Sequence, residues 1–281
     1  MHVVKRRHWH IRLVPVLLLL LFGGLVAWNR VPASAEVKSG LPFSLGERLV
    51  YSVEWDSPWF LFFLPPMDAG EAELHLTGET EYNGQKVLKI SFKARSSGML
   101  VKLFGVKVDD EFIFLADPDS LCTLTAAKRI REGKHKKQVN VEYLRDARQL
   151  HFREIDEAVA PPKLTKDEVK SDIPECVQDP FSALYAFRRL TLAPGYEQAF
   201  KVGNDDKIKE VKSRVDGQEV IECPAGMFTA WRVTTAALMG GLFKEGGQFK
   251  IWLTADERKL PVQFEAKVHL GRAIGKLKRA Q

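Results

Sequence analysis

Asp109, Asp110 and Glu111 are three consecutive carboxylates, and carboxylates in pairs are what glycoside hydrolysis requires. That chemistry needs two acids facing each other across one bond. On a strand, neighbouring side chains point to opposite faces, so Asp109 and Asp110 are not expected to act together and read as solvated edge charges. Beyond residue 35 the histidines are His75, His135, His151 and His269, none spaced from another or from a cysteine as zinc ligands are. His75 and His269 fall in the charged phase of their strands. No Gly-x-Ser-x-Gly elbow is present, and Gly240-Gly241 and Gly246-Gly247 lack the Lys-Ser/Thr that completes a phosphate-binding loop. The expectation is a chain with no metal, no cofactor and no legible catalytic set. A glycan or peptidoglycan hydrolase stays open as a third reading, with a site that only proximity in space would reveal.

The apolar segments carry more information. Trp59-Phe60-Leu61-Phe62-Phe63-Leu64 lies between Ser57-Pro58 and Pro65-Pro66, which discourage a regular sheet. Burying each such side chain contributes about 1.5–3 kcal/mol, so together they rival a domain's net stability and must touch something apolar. They either plug one end of a barrel or form a loop that touches a membrane or gates a ligand. Gly98-Met99-Leu100-Val101-Lys102-Leu103-Phe104-Gly105 and Leu238-Met239-Gly240-Gly241-Leu242-Phe243 are two further apolar stretches with flexible edges. The three are expected at one end of the fold, with Trp59, Phe60, Phe62, Phe63, Met99, Leu103, Leu242 and Phe243 as ligand- or membrane-contact residues. A basic run from Lys128 to Lys137 surrounds Gly133. It reads as the charged outer face of a hairpin, or as a surface for anionic headgroups or acidic glycans.

The elements that would position these groups are strands. Alternation with a period of two recurs at Leu49-Tyr51-Val53-Trp55, Ala72-Leu74-Leu76, Leu88-Ile90-Phe92-Ala94, Val139-Val141-Tyr143, Trp231-Val233-Thr235, Phe249-Ile251-Leu253 and Val262 to Leu270. Asn83-Gly84 is a hairpin turn, and Asp216-Gly217 reads as another. One helix is expected after Asp179, with Pro180 in its first turn, Arg188 and Arg189 near its C-terminus and Pro194-Gly195 ending it. Ile155 to Glu175, with Pro161-Pro162 and many charges, reads as a linker. The fold class is all-β and mainly antiparallel: a large curled sheet or open barrel enclosing one buried helix.

Residues 1–35 read as a leader. Lys5, Arg6, Arg7 and Arg12 precede a 16-residue apolar run, Leu13 to Trp28, and Ala33-Ser34-Ala35 fits a cleavage site. The run is shorter than the ~20 residues of a spanning helix, which favours a cleaved signal peptide. Arg30, awkward before a cleavage site, keeps an uncleaved anchor open. Residues 36–281 are expected to form a single β-rich domain. Five of the 42 basic residues lie in the leader, leaving 37 against 36 acidic, which gives no support for nucleic-acid binding. Cys122, Cys176 and Cys223 are an odd count for an oxidising compartment. Cys176 with Cys223 is the preferred pair, with three unpaired buried cysteines as the alternative.

Four short motifs together resemble a bacterial envelope family known as domain of unknown function 3108. They are Pro42-Phe43-x-x-Gly46-Glu47-Arg48-Leu49-x-Tyr51 with Ala69-Gly70; Asp179-Pro180-x-Ser182-Ala183-Leu184-Tyr185 with Arg188; Cys223-Pro224-Ala225-Gly226-x-Phe228; and Trp252-Leu253-Thr254-x-Asp256-x-Arg258-x-Leu260-Pro261-Val262 with Gly271 and Leu277. The resemblance implies a secreted or periplasmic all-β domain, akin in architecture to the open β-barrel carriers of lipoproteins and lipids, with no catalytic residues to carry over. The functional expectation is an exported, periplasmic, non-enzymatic envelope protein, associated or not with the inner or outer membrane. It would bind or present an amphipathic ligand: a lipid, an acyl chain or a lipid-linked glycan. A structural or assembly factor that binds another envelope protein is the alternative. Ligand identity and oligomeric state are left open.

Overall fold

The computed structural model describes residues 41–58, 64–98, 101, 105, 107–236, 248–267 and 271–281, which belong to one compact unit. The leader lies outside them, as does His269. So do the eight expected contact residues Trp59, Phe60, Phe62, Phe63, Met99, Leu103, Leu242 and Phe243.

The described residues form one antiparallel sheet. Its first half holds β1 (Arg48–Asp56), β2 (Met67–Tyr82), β3 (Gln85–Ser96), β4 (Asp109–Ala116), β5 (Thr123–Glu132), β6 (His135–Leu144), β7 (Gln149–Asp156) and β8 (Lys163–Lys170). After a helix, α1 (Pro180–Arg188), come β9 (Glu197–Asn204), β10 (Lys207–Cys223), β11 (Gly226–Ala236), β12 (Gln248–Thr254), β13 (Pro261–Lys267) and β14 (Arg272–Ala280). The order is β8-β7-β6-β5-β4-β3-β2-β1-β14-β13-β12-β11-β10-β9, so the first and last strands of the chain meet in the middle and β8 and β9 are the two ends. The sheet curls as an open barrel. Asn83 and Gly84 turn β2 into β3 with φ of 50° and 76°, as a two-residue hairpin demands.

Alternation sends one set of side chains inward. Leu49, Leu76, Ile90, Phe114, Val139, Leu150 and Leu277 are almost completely buried in one core. The other face is laced with ion pairs such as Arg48–Glu73 at 2.6 Å and Lys276–Glu54 at 2.8 Å. These pairs are at least partly exposed and contribute little stability.

Helix α1 lies inside the curl. Asp179 caps it, accepting from the amides of Phe181 and Ser182 at 2.7 and 3.0 Å, while its other oxygen accepts from the hydroxyls of Thr123 and Ser182 at 2.9 and 2.7 Å. The carboxylate thus ties the helix N-terminus to the start of β5. Phe181 stacks on Phe92 with ring centroids 4.6 Å apart, and Tyr185 meets Phe43 at 4.8 Å. The helix ends at Arg188, six residues before Pro194, because the chain must turn there. Leu192 then packs with Phe187, Val215 and Val233 in a second core cluster.

Side chains bring the two ends of the sheet together. The β9–β10 turn reaches the inner face of the first half, where Asp206 accepts from Lys166 and Lys170, each at 2.8 Å, and Asn204 and Asp205 accept from Lys128 at 2.7 and 2.8 Å. The bonds from Lys166 and Lys170 hold the Asp206 carboxyl down at about 2. Its folded pKa is below its unfolded one, so its contribution is full above about pH 4 and is lost as pH falls towards about 2. Both lysines are more than a third exposed, which limits that contribution to about 1 kcal/mol. Urea unfolding of the wild type and Asp206→Asn should differ by that amount at neutral pH and converge at about pH 2. Curves that keep a constant gap would contradict this account of the seam.

Four sequence expectations are corrected. The linker read near 155–175 contains a strand, β8. As a sheet end it alternates charged and apolar residues without burying either, so the usual apolar signal is missing, and its charges blunt an exposed edge. Asp216-Gly217 is not a turn but a bulge within the long β10. Lys128 does not belong to the outward basic face; it is turned inward and 6% exposed, over the Phe112 ring at 5.9 Å. The disulfide is Cys122–Cys176, Cα atoms 5.3 Å apart, and Cys223 is buried and free. The bond joins the start of β5 to the segment entering α1, beside the Thr123 amide that donates to the Val177 carbonyl at 2.8 Å. It closes a loop of 54 residues, so Cys122→Ser is expected to lower stability by about 2–4 kcal/mol, read as a lower denaturation midpoint.

Candidate functional site

Every connection between an odd strand and the next even one leaves the same rim of the sheet, the one reached by Asp56 of β1 and Arg272 of β14. At the opposite rim sit α1, the start of β1 and the β12–β13 turn. They are held by Arg188, whose guanidinium grips both oxygens of Glu47 at 2.6 and 2.8 Å and donates to the Arg258 carbonyl at 3.0 Å. One rim is therefore plugged.

Between that plug and the other rim the sheet encloses a cavity of about 230 Å³. Phe181, Leu184 and Phe187 of α1 form its floor, and Phe92, Phe249 and Phe264 rise along its walls. Ala94, Thr235 and Ala273 extend it to within a few residues of the strand ends at the rim away from α1, the open rim among the described residues. Space exists because inward positions are filled by small residues: Ala72, Ala94 and Ala273 stand where a leucine would close it. Gly275 makes room in a different way. The Phe264 ring lies over it so closely that a Cβ there would come within 2.1 Å of ring carbons.

The wall offers almost no polar contact. Ser213 donates to Thr235 at 3.0 Å, and Tyr51 donates to the Pro261 carbonyl at 2.8 Å. Burial pushes the Tyr51 phenol well above its ordinary value and keeps it a neutral donor. The lining of this cavity is thus almost wholly apolar. Asp110 is a buried charged group on this inner face, paired across the sheet with Ala94 and accepting from the Arg131 amide at 2.8 Å. Burial raises its pKa. Asp109 points the other way, to Arg95 at 2.9 Å, so the two carboxylates do not converge.

The described residues hold no group of three or more His, Cys, Asp or Glu able to take a metal. His151 is bonded to Asp167 at 2.6 Å, and His75 lies on the outer phase of β2 opposite Ser91. The strand ends that flank the three apolar segments all lie at the open rim: Asp56 and Met67, Ser96 and Asp109, Ala236 and Gln248. The contact residues themselves fall outside the described residues. What sequence reading missed is the cavity wall. The signal was there, as alanines at inward positions of otherwise bulky alternating runs.

A family profile described as a protein of unknown function, DUF3108, matches residues 50–278. The chain belongs to the DUF3108 family. Within this DUF3108 fold, residues of three of the motifs are linked at the plugged rim, where Glu47 accepts from Tyr185 and Arg188 and Arg188 donates to the Arg258 carbonyl. Ala69-Gly70 and Gly271, from the first and fourth motifs, lie instead near the other rim, beside Ser96 and Asp56. No curated protein matches the chain. Among solved structures, a β-barrel-like protein of the domain of unknown function DUF1849 from Brucella abortus aligns with a TM-score of 0.51 and 12% identity, over 84% of this chain and 97% of its own. A Bacteroides fragilis protein with a YmcC-like fold, described as exported, aligns over 86% and 98% at 12% identity with a TM-score of 0.32. The first likeness supports the barrel-like fold alone. No helix among the described residues is long and apolar enough to cross a membrane.

Proposed function

We propose that this chain is an exported, non-enzymatic envelope protein that holds the hydrocarbon part of an amphipathic ligand in its cavity and leaves the polar end at the open rim. The ligand class is a lipid, an acyl chain or a lipid-linked glycan, and the compartment is the periplasm. The observation that carries the reading is the cavity itself: apolar, floored by a helix and reaching towards the rim away from it. Its wall lacks the convergent polar groups that chemistry on a substrate would need. In this reading Trp59, Phe60, Phe62, Phe63, Met99, Leu103, Leu242 and Phe243 supply the apolar contacts at the entrance, since their segments are joined to strand ends at that rim. The leader directs export.

Native mass spectrometry of gently purified protein tests it. The expected spectrum contains a population heavier by one lipid, which detergent strips away. Changing Trp59, Phe60, Phe62 and Phe63 to Ser should abolish that population while cooperative unfolding persists. A spectrum of bare protein, with no uptake of added fatty acid or lysophospholipid, would end the carrier reading. Co-purification of a second protein would favour the assembly role.

A further inference from the structure

The open rim carries a cationic patch that the cavity does not explain. The β5–β6 turn stands there with Lys134, His135 and Lys136 exposed. Beside it runs the end of the β3–β4 connection: the Gly133 amide donates to the Lys107 carbonyl at 2.7 Å, and Val108 pairs with Glu132. Lys107 is exposed as well. The two backbone contacts thus gather Lys107, Lys134 and Lys136 into one patch on neighbouring tips.

Most carboxylates around this patch are engaged by other cations; Asp156, opposite Lys137, accepts from the Ala158 amide at 2.8 Å. Asp109 is held by Arg95 at 2.9 Å, Glu111 by Lys93 at 3.0 Å, Glu154 by Lys137 at 2.9 Å and Glu157 by Arg131. Glu132, on the turn itself, is half-buried. Lys134 and Lys136 are exposed, and Lys107 acts on Asp109 only at longer range, after the Arg95 bond that holds its carboxyl down. Beyond the leader the chain is nearly neutral, 37 basic against 36 acidic, so this is a local concentration of charge and not a general excess.

We infer that the open rim docks on an anionic membrane surface through Lys107, Lys134 and Lys136. Lys134 and Lys136 sit at a two-residue hairpin turn at this rim and Lys107 just before β4 beside it, so all three can reach a surface set against the rim. Their long stems let the ammonium groups meet headgroup phosphates while the methylenes lie along the interface. Attraction to an anionic leaflet acts only within a Debye length, about 8 Å at physiological salt, which side chains at the tips satisfy and those on the barrel wall do not. Docking in this orientation would also point the cavity at lipid, but the inference stands on the patch and not on a ligand being held.

The test is co-sedimentation with vesicles of phosphatidylcholine, with and without phosphatidylglycerol, using the full chain after export. Wild-type protein should bind the anionic vesicles and leave the neutral ones, and raising the salt should release it. At about fivefold per cation, the triple change Lys107→Glu, Lys134→Glu, Lys136→Glu should weaken binding by about 100-fold or more. Lys86→Glu with Arg279→Glu, exposed charges at the plugged rim, should leave it unchanged. All sites are exposed, so the thermal melts should superimpose. Equal binding to neutral vesicles, or a triple variant that sediments like wild type, would overturn the inference. So would a soluble sulfated glycan that binds more tightly than the vesicles. A fatty-acid probe added in solution separates this from the carrier reading: the triple variant should still take it up, whereas a protein that binds vesicles but never the probe has the docking rim without the cargo.

Discussion

Arg188→Ala is expected to lower the unfolding free energy by about 3–5 kcal/mol, the largest loss of any single change in this fold. Arg188 is wholly buried, packed over the rings of Phe43 and Tyr185 at 5.3 and 5.2 Å. Its two bonds to Glu47 are what make that burial tolerable, since each charge satisfies the other. Truncation leaves a carboxylate that is 7% exposed facing only the Tyr185 hydroxyl at 3.3 Å, and frees the Arg258 carbonyl. It also unties three stretches distant in sequence: the start of β1, the end of α1 and the β12–β13 turn. Guanidinium unfolding followed by tryptophan fluorescence reads the effect. The double change Glu47→Leu with Arg188→Met should recover much of the loss, because removing both charges also removes the cost of desolvating them. A single variant that loses less than about 1 kcal/mol would show that the plug is held by packing alone.

The parts of this fold that were legible in sequence are those governed by local rules. Period-two alternation located the strands because each has one face in a core and one in water. Asn83-Gly84 announced its turn through the φ both residues adopt. Asp179 announced the helix start because a carboxylate there meets orphan amides, and Ser182 completed the cap. What was not legible depends on contacts between distant segments. The β8 strand looks like a linker because a sheet end buries neither face, and Asp216-Gly217 looks like a turn because a bulge uses the same residue types. The disulfide could not be chosen from three cysteines, since pairing follows the approach of β5 to the segment before α1. The wall of the cavity was the deepest omission. An inward alanine among leucines and phenylalanines is unremarkable on one strand, and becomes a void only when Ala72, Ala94 and Ala273 are brought around the same space.

That void leads to the second large effect. Ala183→Trp, on the face of α1 that looks into the cavity, should abolish ligand uptake while leaving the protein as stable as before or more so. An unfilled apolar cavity costs on the order of 24 cal/mol per Å³, so about 230 Å³ represents several kcal/mol that a purely structural core would recover by growing its side chains. Filling it with an indole regains contacts along Phe181, Phe187 and the facing strands. The same indole occupies room that hydrocarbon would use. Excluding about four methylenes at about 0.8 kcal/mol each weakens binding by about 200-fold. A fluorescent fatty acid titrated into both proteins measures the loss, and thermal unfolding measures the gain. Ala273→Phe, at the other end of the cavity, should repeat the result by blocking entry near the open rim. Ser52→Ala, on the outer face of β1, should change neither quantity. A filled variant that binds the probe as tightly as wild type would move the site elsewhere. A variant that loses both binding and stability would mean the space is already taken up by the protein's own side chains in solution. Gain of stability with loss of binding is the outcome that a defect in packing cannot mimic, because only a space kept open for another molecule improves when it is closed and fails at the same time.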